Sequence, residues 1–128
     1  METPLISVRA LGCRPDTDHP RRWHARWLVH NLVAEPLELQ AAWIPHGRFR
    51  GDGRVPLAGR IDPAASRELD FAVTASEPPG TVVPNAFLIL RVTVQGKAWR
   101  IFVRMRIEFD ADAVPNPVVE AVTTQSLQ

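Results

Sequence analysis

Cysteine is nearly absent from this sequence: Cys13 stands alone among 128 residues. No internal disulfide can form, and no thiolate cluster can hold zinc. A reducing compartment, by default the cytoplasm, is expected. Lysine is as scarce. Lys97 is the only one, so all but one of the 15 basic residues are arginine. Neither sign of charge is in excess, and a formal net charge of +1 gives no strong field toward nucleic acid or a membrane. No run approaches the roughly 18 consecutive apolar residues of a membrane-spanning helix. The N-terminal METPLISVRALGC has no basic region ahead of a long apolar stretch, so no signal peptide is expected.

Catalytic motifs are missing too. There is no Gly-x-Ser-x-Gly elbow. The glycine-rich HGRFRGDGR has no lysine and no helix signal after it, so it is no phosphate loop. His24 and His30 lie six residues apart on one strand, about 20 Å at strand spacing, and cannot share a metal ion. His19 and His46 fall in loops, with no zinc-like spacing around them. Cys13 beside Arg14 is the one thiol whose pKa a cation would lower, and it reads as an incidental free cysteine. No enzyme, metal or cofactor is expected.

What the chain does have is alternation. Phe87 to Phe109 reads as two strands around a tight turn at Gly96-Lys97. Leu88, Leu90, Val92 and Val94 share a face in the first strand, and Trp99, Ile101, Val103, Met105 and Ile107 share one in the second. A two-residue Gly-Lys loop would pair Val94 with Trp99, Val92 with Ile101 and Leu90 with Val103. Upstream, strands are expected over 5–12, 22–32, 37–44, 54–57 and 61–75, separated by Pro- and Gly-rich turns. In the third of these, Leu37, Leu39, Ala41 and Trp43 would face inward and Ala42 and Ile44 outward. Seven short strands argue for an all-β, antiparallel sandwich. The sandwich domain would span 1–112. The segment 113–128 would be a C-terminal tail, flexible or docked on a partner.

The order of features resembles an immunoglobulin-like or fibronectin-III-like domain. A strand ends in Val29-x-Asn31-Leu32, a strand with Trp43 follows, then Ile61-x-Pro63-x-x-Ser66-x-x-Leu69-x-Phe71-x-Val73, then a closing hairpin. The resemblance implies a sandwich over about residues 5–109. It departs from the pattern in having no inter-sheet disulfide and no tyrosine, hence no tyrosine corner. It implies no particular function, because this architecture hosts many.

Two candidate sites follow from the residues. The outer face of the hairpin combines Phe87, Ile89, Arg91, Arg100, Phe102, Arg104 and Arg106, with Ile44 extending it. Arginine among aromatic and aliphatic side chains is the composition of protein interfaces; a protein partner or a second copy of the chain is expected there. The same face could stack bases, but the near-zero net charge and the lack of any RNA-binding signature argue against nucleic acid. The alternative is a loop site over 45–60, in which His46, Arg48, Phe49 and Arg50 would hold a small anionic or carbohydrate ligand.

Overall fold

The structure, a computed structural model, describes residues 4–127. Among them are ten strands and no helix, so no helix is long and apolar enough to cross a membrane. The strands are β1 (Ile6–Pro15), β2 (Arg22–Asn31), β3 (Leu37–Trp43), β4 (Pro45–His46), β5 (Phe49–Gly51), β6 (Val55–Ile61), β7 (Ser66–Thr74), β8 (Val82–Val94), β9 (Lys97–Phe109) and β10 (Pro115–Ser126). They form two five-stranded antiparallel sheets: β1-β2-β7-β5-β4, and β10-β9-β8-β3-β6. The sandwich expected from alternation is therefore present. The seven strands read from the sequence correspond to β1, β2, β3, β6, β7, β8 and β9; the small β4–β5 hairpin and β10 are additional.

The inward residues of both sheets make one core. Trp27, Val29, Leu69, Phe71 and Val73 come from the first sheet, and Leu88, Leu90, Ile101, Val103 and Met105 from the second. Trp27 and Phe71 meet at 5.6 Å between ring centroids. One polar side chain is enclosed with them. Asn31, 1% exposed, donates from Nδ2 to the carbonyls of Glu35 and Ile61, both at 2.9 Å, and accepts from the Val33 amide at 2.9 Å. Ile61 ends β6 in the second sheet while Asn31 ends β2 in the first, so this amide ties the sheets together.

The structure corrects four expectations. The central hairpin turns at Gln95-Gly96, not Gly96-Lys97. Both residues have positive φ (50° and 77°), the requirement of a type I′ turn. The register moves by two, to Val94 opposite Lys97 and Val92 opposite Trp99. Because strand faces repeat every two residues, the inward set is unchanged.

The segment after residue 112 is not a tail. β10 pairs with β9 from Pro115 opposite Phe109 to Ser126 opposite Trp99. Pro115 and Pro117 look like sheet terminators, but they open an edge strand, where a proline's missing N–H is tolerated. Asp110 closes the connection: its carboxylate accepts from the amides of Asp112 and Val114 at 2.8 and 3.0 Å.

The expected 61–75 strand is divided. Ile61 belongs to β6, and a turn in which the Ala65 amide donates to the Asp62 carbonyl carries the chain to the other sheet and into β7. Finally, β3 contains a bulge between Leu39 and Ala41. One extra residue inverts the alternation beyond it. Ala42 and Ile44 join the core, and Trp43 turns outward opposite Ile89.

Candidate functional site

The seven hairpin residues share one surface. On the outer face of the second sheet, Phe87 stands opposite Arg104, Ile89 opposite Phe102, and Arg91 opposite Arg100. Phe87 and Phe102 meet edge to face at 6.4 Å. The bulge in β3 brings Trp43 beside Ile89, which is 9% exposed although it faces away from the core. Ile44, expected to extend this face, lies in the core instead; Trp43 takes its place. No sequence signal marks this exchange, because Ala41-Ala42-Trp43-Ile44 is apolar on both faces.

Electrostatically the surface has two halves. Toward β10, Arg106 reaches Glu108 at 2.9 Å and Glu120 at 3.4 Å, and Arg104 approaches Glu120 at 3.8 Å. The guanidinium of Arg106 is held charged by hydrogen bonds to Glu108 first and Glu120 second. Toward β3, Arg91 and Arg100 have no carboxylate partner among the described residues. They sit directly across from one another, an arrangement of like charges that destabilises a strand pair. Their Nε atoms are buried and make no hydrogen bond. Glu38 does not reach Arg91; it pairs with Thr93, accepting a 3.4 Å hydrogen bond from the hydroxyl. Arg100 lies 5.9 Å from the centroid of Trp43, whose ring Arg54 also covers at 4.7 Å.

The 45–60 segment is more ordered than a mobile loop. β4 and β5 form a hairpin that extends the first sheet beside β7, with Gly51 opposite Val73. Phe49, expected to face a ligand, is fully buried and packs in the core. Its apolar ring closes the end of the sandwich. Arg48 is spent on Glu77 at 2.8 Å. His46 accepts a 3.0 Å hydrogen bond from the Arg48 amide. Of the four loop candidates, Arg50 borders the cleft at the end of β3. That cleft, of about 680 Å³, lies where β3 gives way to the β4–β5 hairpin and is bordered by Trp43, Pro45, Arg50, Asp52 and Arg54.

Two of the histidines find structural partners. His24 Nε2 lies 2.9 Å from Asp16, and His30 Nδ1 lies 2.8 Å from the Ser66 hydroxyl. Cys13 lies in β1, and burial pushes its thiol up to about 12, away from the reactive thiolate. Among the described residues no three of histidine, cysteine, aspartate and glutamate gather as metal ligands would. Comparison with models of known protein families finds no match, and comparison with curated proteins finds none.

Proposed function

We propose that this chain is a non-enzymatic binding module that engages another protein through the outer face of its second sheet. The observation that carries this is the Arg91–Arg100 pair: two opposed guanidinium groups with buried, unbonded Nε atoms, set among Ile89, Phe102 and Trp43. A buried donor left unsatisfied costs roughly 1–3 kcal/mol. A carboxylate supplied from outside would pair with the terminal N–H groups of the two guanidiniums and relieve the like-charge contact. The flanking rings would bury an apolar side chain beside it, the pairing of aromatic and arginine anchors found at interface centres.

The partner is therefore acidic with apolar residues adjacent. A second copy of this chain fits poorly, because the glutamates beside the hairpin, Glu108 and Glu120, already hold Arg104 and Arg106. The same two glutamates would repel a phosphate backbone. The strand order supports the immunoglobulin-like resemblance: β1-β2-β7 faces β9-β8-β3-β6, as strands A, B and E face G, F, C and C′. The single, inert cysteine suits a reducing compartment such as the cytoplasm.

The test has two parts. Light scattering should give a monomer at low and high salt. Capture from the native host should then yield an acidic protein that the double variant Arg100→Gln/Phe102→Ser no longer binds, with its far-UV spectrum unchanged. A dimer that dissociates in the variant, or a partner that binds the variant equally, would overturn the assignment.

A further inference from the structure

The cleft at the end of β3 has a chemistry of its own. Its lining includes two apolar rings, Trp43 and Pro45, and two cationic side chains, Arg50 and Arg54. Among the described residues Asp52 is the one carboxylate lining it. Both oxygens of that carboxylate accept hydrogen bonds from Arg22, which reaches over from β2, rather than from Arg50 or Arg54. Neither Arg50 nor Arg54 forms an ion pair among the described residues. The guanidinium carbon of Arg54 lies 4.7 Å from the centroid of the Trp43 ring, and the group makes no hydrogen bond among the described residues. At about 680 Å³ the cleft lies within the range of small-molecule sites, which combine apolar walls with a few placed polar groups.

We propose that this cleft binds a small anion carried on a flat apolar body, such as an aromatic carboxylate or phosphate ester. The anionic head pairs with Arg50 and Arg54, and the apolar body lies against Pro45 and the part of the Trp43 ring that Arg54 leaves uncovered. The site rests on residues other than the Arg91–Arg100 pair, so it stands or falls separately from the protein-binding face, although Trp43 borders both. The β4–β5 hairpin positions it: Phe49 anchors one side of that hairpin in the core, and the Gly51 amide donates to the Ile44 carbonyl at 3.0 Å. The loop that carries Arg50 and Arg54 is thus held against the end of β3 before any ligand arrives.

Titration of the isotope-labelled full chain with benzoate, phenyl phosphate, acetate and benzamide tests this. The readouts are the Trp43 indole N–H, assigned with Trp43→Phe, and the amides of Gly51 and Gly53. Benzoate or phenyl phosphate should give saturable shifts in the roughly millimolar range of a fragment this size. Acetate and benzamide should bind at least about tenfold more weakly, as should Arg50→Gln and Arg54→Gln, each of which removes a charge-assisted hydrogen bond. Arg91→Gln should leave the titration unchanged. Absence of saturation with both aromatic anions would overturn the proposal. So would equal binding of benzamide, which would show the charge to be irrelevant, or of acetate, which would show the same of the ring. An equal loss in Arg91→Gln would place the probe on the sheet face instead.

Discussion

The two outer faces of this sandwich carry similar numbers of arginines and use them differently. On the first sheet the charges along β2 are answered locally. Arg26 holds Glu68 through two hydrogen bonds, Arg22 holds Asp52, and His24 holds Asp16. On the second sheet the half nearest β10 is answered in the same way, while Arg91 and Arg100 are left facing each other among aromatic rings. The contrast shows that arginine content alone does not describe the two faces. What distinguishes them is whether the cross-strand neighbour is an acid or another cation.

The largest effect is expected where the two sheets are joined. Asn31→Ala removes three hydrogen bonds and strands the buried carbonyl of Ile61 and the part-buried one of Glu35. A loss on the order of 3 kcal/mol should appear in urea unfolding. A loss well under about 1 kcal/mol would show that the sheets are held by apolar packing alone, and that the two faces need no common frame.

A second change separates the faces directly. Arg100→Asp replaces the like-charge contact on the second sheet with one of opposite sign, a carboxylate facing Arg91. The free monomer should gain about 0.2–1 kcal/mol, and binding of the acidic partner should disappear. The matching reversal on the first sheet, Arg26→Glu, opposes Glu68 and should destabilise the monomer while leaving partner binding intact. If both reversals destabilise equally, the Arg91–Arg100 contact is not the frustrated one and the comparison fails.

A smaller gain is expected at the crossing between the sheets. Ala64 has a φ of 62°, a left-handed conformation that favours glycine. Ala64→Gly should raise the thermal midpoint slightly, by the equivalent of up to about 1 kcal/mol. No change, or a loss, would show that glycine's added freedom in the unfolded chain outweighs the relieved strain.

How far these features are legible in the sequence depends on the regularity of the strands that carry them. β8 and β9 alternate without interruption from Ala86 and Met105 to the turn, so their outward set can be read directly even with the turn misplaced by one residue. β3 and β10 each contain a bulge, at Leu39/Ala41 and Val119/Ala121. Past a bulge the faces invert, and nothing in Ala41-Ala42-Trp43 or Val118-Val119-Glu120-Ala121 marks the position. This is why alternation alone puts Trp43 in the core and shows no strand at β10. Phe49 is missed for another reason: in a glycine-rich stretch with no period, a lone aromatic gives no sign of which way it points. The unanswered state of Arg91 and Arg100 requires the register itself, which periodicity alone leaves two residues off.

Acid should separate the faces most gently. Asp16 and Glu68, on the first sheet's side, have carboxyls held below their ordinary range. Asp16 is lowered first by the Asp18 amide and then by His24, and Glu68 by hydrogen bonds from Arg26. Groups lowered in the folded state stabilise above the unfolded value, near 4 for these carboxyls, and lose that contribution as pH falls through the folded value. Arg91 and Arg100 have no carboxylate partner among the described residues, so no lowered carboxylate contributes stability at that pair. As pH is lowered through about 4, amide exchange along β1, β2 and β7 should therefore accelerate before that along β8 and β3. Asp110, lowered first by the Val114 amide and then by Asp112, should release the β9–β10 connection over the same range, and Asp110→Asn should weaken its dependence on pH. Simultaneous acceleration in both sheets would mean that they open as one unit, and that the difference between the two faces resides in binding alone.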